Sequence, residues 1–87
     1  MIAQHTAKVK HRLGLHARPA ADFVRLANTF ASEIRVKKGR RVVSGKSIMG
    51  ILTLAAASGS RVTVEADGAD ATEAARALSA FLLSGDA

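Results

Sequence analysis

The order in which two periodicities succeed one another is what most limits how this chain can fold. Four stretches alternate apolar with polar residues, as a strand with one buried face does, and three others repeat apolar residues at helical spacing. Thr6-Ala7-Lys8-Val9-Lys10 is the first strand, with Ala7 and Val9 turned inward. A helix follows from about Ala17 to Asn28, with Ala20, Phe23, Val24 and Ala27 on its apolar face and Arg18, Asp22, Arg25 and Asn28 on its polar one. Glu33 to Lys37 and Arg40 to Val43 form a hairpin across Lys38-Gly39. Ile48, Ile51 and Leu52 mark a short helix from Ser47 to about Leu54, and Ser47 is its natural N-cap. Arg61 to Ala66 is the clearest strand, with Val62, Val64 and Ala66 inward. The last helix sets Ala71, Ala74, Ala75, Leu78 and Leu82 on one face, and Asp70 with Glu73 at its start resembles a capping box.

The resulting order, β-α-β-β-α-β-α within 87 residues, predicts one α+β domain over residues 1–87. Two layers follow, with helices on one face of a four-stranded sheet and Lys8, Arg35, Lys37, Thr63 and Glu65 on the wet face. The hairpin requires some antiparallel pairing, whereas the order of the strands is not contained in the pattern. With no cysteine, the chain has no disulfide framework and no thiolate metal site, and a small domain without such staples suits a reducing cytoplasm. Residues 1–10 are polar and alternating rather than a signal peptide, and no run approaches the roughly 20 apolar residues of a membrane span.

Charge divides the chain unevenly. The overall balance is +6, yet residues 1–46 hold eleven Lys and Arg against Asp22 and Glu33, while the remainder holds Arg61 and Arg76 against five acids. Such a field speeds encounter with an acidic protein, a phosphorylated centre or nucleic acid, and it also fits a plain solvated surface.

Within the basic half lies Gly14-Leu15-His16-Ala17-Arg18-Pro19-Ala20, where a turn glycine precedes a histidine at the start of a helix. The first N–H groups of a helix lack internal partners and its dipole favours negative charge there, so a phosphate attached nearby is stabilised. Pro19 is tolerated because the first turn has no internal donors to lose. Imidazole is a usable nucleophile near neutral pH. Phosphoryl oxygens on His16 could accept from the backbone N–H groups of Ala17 and Arg18, and the Arg18 guanidinium offers a planar donor fork. The chemistry indicated is phosphoryl capture on imidazole, against the commoner case of a histidine that merely sits at a surface.

Other chemistries fit less well. Gly45-Lys46-Ser47 looks like the end of a phosphate-binding loop, but the position that motif requires to be glycine is Arg40, so no nucleotide cofactor is read. His5, His11 and His16 have no Cys, Asp or Glu at ligand spacing, and no metal is expected. A small RNA-binding domain is the rival from another class. It would suit the basic half, but the chain has no Trp or Tyr to stack bases and no Gly-x-x-Gly loop, so nucleic acid is not expected as a partner.

Gly14-Leu15-His16-Ala17-Arg18-Pro19-Ala20-Ala21 and Lys46-Ser47-Ile48-Met49-Gly50 together resemble the HPr family, the histidine-containing phosphocarriers of the bacterial phosphoenolpyruvate-dependent sugar phosphotransferase system. The likeness spans nearly the whole chain. It implies an open-faced β-sandwich, with a four-stranded antiparallel sheet carrying three helices on one face. It also implies that His16 accepts a phosphoryl group on Nδ1 from phosphorylated Enzyme I and passes it to the IIA component of a sugar permease, with Arg18 assisting. Such a protein is a phosphorylated carrier rather than an autonomous enzyme, expected as a cytoplasmic monomer. Ser47 matches the serine that an HPr kinase/phosphorylase modifies in many Gram-positive bacteria, a form that can partner a catabolite-control repressor; an N-cap is the structural alternative for it. Ile48, Met49 and Leu52 match the family's docking region, with core packing as their alternative. A regulatory or nitrogen-related paralogue using the same histidine is the alternative within the family. Ser44-Gly45 and the Arg40-Arg41 pair depart from the family's pattern.

Overall fold

A computed structural model describes residues 1–85 and places seven elements in the expected order. They are β1 (Ile2–Lys8), α1 (Ala17–Ala27), β2 (Glu33–Lys38), β3 (Arg41–Ser44), α2 (Ile48–Leu54), β4 (Arg61–Asp67) and α3 (Ala71–Ser84). The sheet order is β1-β4-β2-β3 and every pairing is antiparallel. Consecutive elements are therefore interleaved: β4, the last strand made, lies between β1 and β2 and closes the sheet.

Alternation explains the two faces. Ile34, Val36, Val62, Val64 and Ala66 point to one side and are buried with Phe23, Ile51, Leu54, Leu78 and Leu82 from the helices. On the opposite side Arg35 and Glu65 face each other in register, and Arg35 Nε donates to Glu65 Oε1 at 2.7 Å. Lys37 Nζ donates to the other oxygen at 3.2 Å. The Arg35 bond first, then that of Lys37, holds the Glu65 carboxyl below its ordinary range, and the same Glu65 bond raises Arg35.

Boundaries at β1 and at the hairpin differ from the sequence reading. β1 begins at Ile2 and ends at Lys8, so Val9 and Lys10 fall outside it. Val9 is nonetheless fully buried, because its N–H reaches Ser60 O and its carbonyl accepts from Gly59, while the Lys10 N–H turns to Leu82 O. The hairpin turn is Gly39-Arg40 rather than Lys38-Gly39: Lys38 pairs with Arg41, and Gly39 has φ +60 as the first central residue of a two-residue turn demands.

The capping box at α3 does not form. Asp70 occupies the N-cap position, but its carboxylate makes no bond to its own helix. It accepts instead from the Ala31 and Ser32 N–H groups, each at 2.9 Å, and from the Ser32 hydroxyl. Those bonds, the hydroxyl foremost, lower the Asp70 carboxyl below its ordinary range.

Candidate functional site

The site is assembled from the loop before α1, the start of α1 and the end of α2. Gly14 has φ +76, and a Cβ there would lie 2.4 Å from Ala56 O. The close approach lets the Leu15 N–H bond that same carbonyl at 2.9 Å and buries the Leu15 side chain. With the chain before His16 thus anchored, it enters α1 through His16 itself, which is the N-cap in extended conformation (φ −83, ψ −169).

Its carbonyl accepts the first intrahelical bond, from Ala20 N–H at 2.8 Å. The His16 side chain makes no capping bond and is exposed. Beside it, the N–H groups of Ala17 and Arg18 have no partner within the helix, and Pro19 has no N–H to offer. The first turn therefore presents two backbone donors, at the positive end of the α1 dipole, next to an unengaged imidazole. No acidic residue stands in that turn to compete.

The structure does not gather all the expected residues into one pocket. His16 lines a shallow depression with Leu13, Leu15, Leu52 and Ala55 to Ala57. Arg18 lines a different cavity, on the α3 side of α1, with His11, Asp22, Phe81 and Ser84. The two side chains leave the same turn without a bond between them, so a phosphoryl group on His16 meets Arg18 only if the guanidinium turns toward it.

Ser47 is the N-cap of α2, and its hydroxyl accepts from Gly50 N–H at 3.0 Å. Ile48 and Met49 are exposed, at 44% and 69%, whereas Leu52 is half-buried and packs on the core. A surface-facing aliphatic pair thus borders the serine, with Leu52 shared between the core and the His16 depression. Leu13, 76% exposed, joins this apolar surface and was missed by periodicity, because it stands in a loop that has none.

The basic hairpin proves to be partly committed. α2 has no basic residue in its last turn, and the carbonyls there receive Lys38 Nζ at Ala55 O (3.4 Å) and Arg41 at Thr53 O. These cations from β2 and β3 offset the negative end of α2. Gly45 likewise has a local reason, since a Cβ there would fall 2.3 Å from Ile34 Cγ2. His5 lies on β1, His11 against Phe81 and His16 at the cap of α1; among the described residues no three His, Asp or Glu side chains gather as a metal site.

An antiparallel four-stranded sheet under three helices, with an exposed histidine capping the first helix, defines an open-faced α+β sandwich. The family model described as the PTS HPr component phosphorylation site matches residues 3–84. The chain belongs to the HPr family, the phosphocarriers of the phosphotransferase system. It is 47% identical over 81 residues to the HPr-like protein Crh of Halalkalibacterium halodurans, covering 93% of this chain and 96% of that one. The phosphocarrier protein HPr of Cupriavidus necator is 44% identical, covering 93% and 91%. Among solved structures, HPr of Bacillus anthracis superposes with TM-score 0.90 at 44% identity, covering 93% of this chain and 96% of that one. Crh of Bacillus subtilis, crystallised as a swapped dimer, gives TM-score 0.76 at 42% identity and 92% coverage of each chain. No helix among the described residues is long and apolar enough to cross a membrane.

Proposed function

We propose that this chain carries a phosphoryl group on Nδ1 of His16, accepting it from phosphorylated Enzyme I and yielding it to the IIA component of a sugar permease. The observation that carries this reading is the exposed, unbonded His16 imidazole beside the free N–H groups of Ala17 and Arg18. In each transfer one bond from the donor to phosphorus breaks as one N–P bond forms. The three phosphoryl oxygens keep their charge, and the helix start lowers the cost of that charge. Arg18 turns from its cavity to supply a charge-assisted pair of donors. Ile48, Met49 and Leu52, with Leu13, form the apolar surface on which Enzyme I and IIA dock. No cofactor or metal enters, and the chain acts as a cytoplasmic monomer and a single folding unit.

Incubation with Enzyme I and phosphoenolpyruvate, followed by intact mass, tests the carrier. One acid-labile phosphate is expected on the wild-type chain and none on His16→Ala; a phosphate that survives His16→Ala removes the assignment. Arg18→Ala is expected to slow transfer with the fold intact, and unchanged kinetics would take Arg18 out of the site.

We further assign Ser47 as the acceptor of an acid-stable phosphate from ATP and an HPr kinase/phosphorylase, giving a form that binds a catabolite-control repressor. Its failure to gain that phosphate leaves Ser47 a helix cap. The likeness to Crh, named in a solved structure as a catabolite repression protein, favours a second reading, a regulatory paralogue. Loss of sugar uptake on deletion of the chain separates the first reading from the second.

A further inference from the structure

α1 and the end of α3 meet over a cavity of about 480 Å3, separate from the depression that holds His16. Its floor is the His11 ring packed on Phe81, centroids 4.8 Å apart. His11 is only 4% exposed, and its Nδ1 is sealed from solvent without a hydrogen-bond partner. A sealed bare acceptor costs less than a sealed bare N–H, so the ring N–H that a ligand can meet is the one on Nε2. What remains of its surface lines the cavity.

The cavity wall is bipolar. Arg18 stands on it four residues before Asp22, a spacing at which the two side chains would ordinarily pair. Instead Asp22 Oδ1 accepts from Arg25 at 3.0 Å, and among the described residues no carboxylate pairs with the Arg18 guanidinium. Donors thus come from Arg18 and His11. The opposite character comes from Asp22 and from Ser84 and Gly85 at the negative end of α3. The Ser84 hydroxyl already donates to Phe81 O at 2.8 Å, so its oxygen is left to accept.

We propose that this cavity binds the zwitterion of a small α-amino acid, its carboxylate on Arg18 and His11, its ammonium toward Asp22 and the end of α3, and its side chain over Phe81. A simple anion would face the second oxygen of Asp22 and the carbonyl end of α3 across the cavity, and a simple amine would face Arg18. A ligand bearing both charges satisfies both sides, and the volume suits a small metabolite. Occupancy holds Arg18 away from His16 and so slows phosphoryl acceptance, a consequence that rests on the carrier reading as the binding itself does not.

The test titrates the isotope-labelled full chain with L-leucine, isocaproate, which lacks the ammonium, and isoamylamine, which lacks the carboxylate, at matched ionic strength. Shifts of the His11 imidazole and the Arg18 Nε–H are followed by NMR. Saturable binding of leucine is expected, with each analogue about tenfold weaker or worse. His11→Phe, which keeps the stacking on Phe81 and removes the N–H, should weaken leucine by a similar factor. Asp22→Asn, a half-exposed surface change, should abolish the preference for leucine over isocaproate and decides the matter even if His11→Phe does not fold. Equal response to all three compounds, no saturable response, or shifts confined to His16 and Ala17 overturns the proposal. Phosphoryl acceptance is measured on the same preparation without amino acid. A chain that accepts phosphate but binds no leucine sinks this proposal alone, and the reverse result sinks the carrier alone.

Discussion

Asp70 and Ser32, 38 residues apart in sequence, are joined by two hydrogen bonds, one from the Ser32 N–H and one from its hydroxyl. With the Ala31 N–H they fasten the α1–β2 loop to the start of α3. Because the Asp70 carboxyl is lowered in the folded chain, it binds protons less readily there than in the unfolded chain. Its contribution is present above the ordinary carboxylate range and is lost as pH falls through the lowered folded value. Thermal melts from neutral pH to pH 2 should show that acid loss, and Asp70→Asn should lower Tm at neutral pH by a few degrees and flatten the acid limb. An identical acid limb in Asp70→Asn would assign the loss to other carboxylates, Glu65 first among them.

Gly14→Ala should damage the fold and the site together. The residue sits at φ +76 and its new Cβ would press into the backbone of Ala56 and Ala57. A left-handed conformation and a steric clash at one position cost on the order of 2–4 kcal/mol. Denaturant melts measure the first effect. Phosphoryl acceptance under native conditions measures the second, since the loop that aims His16 must shift.

Ala55→Gly should do the opposite. Ala55 is the one described residue other than glycine with positive φ, 53°, where it ends α2 in the left-handed conformation. Relieving that conformation should stabilise the chain by about 1 kcal/mol, or roughly 4–8 °C in Tm for a domain of this size. No gain in Tm would mean that packing against the His16 depression holds the residue there without strain.

Ser47→Ala removes the acceptor for Gly50 N–H and should cost about 1 kcal/mol. Ser47→Asp keeps a capping oxygen and adds negative charge at the positive end of α2, so its Tm should stay near wild type. A Ser47→Asp chain as unstable as Ser47→Ala would show that the hydroxyl geometry, not the charge, holds the cap.

These positions also show what the sequence could carry. Period-two alternation located Val62, Val64 and Ala66 correctly because it is a local property of one strand. It missed the start of β1 at Ile2, since β1 is an edge strand whose outward residues, Ile2 among them at 60% exposure, include apolar ones that spoil the alternation. The Asp70–Glu73 spacing suggested a local cap, and a long-range partner won: Ser32 and Ala31 present donors that no local rule can see. His16 and Ser47 were legible as helix starts because capping is written in neighbouring residues. His11 was not, because its burial depends on Phe81, seventy positions away, and on α3 crossing beside α1. Two cations of the basic hairpin serve the carbonyls of α2, a pairing across elements that no local pattern shows.

Pro19 gives the first turn of α1 a further meaning. By removing one N–H it leaves the helix start a donor poorer than a first turn without proline. On the proposed reading, a phosphoryl group on His16 would share its oxygens with water, with a turning Arg18, or with the protein that receives it. A fully furnished cradle would be a trap, and one left a donor short would suit a place of transit, where departure is as easily arranged as arrival.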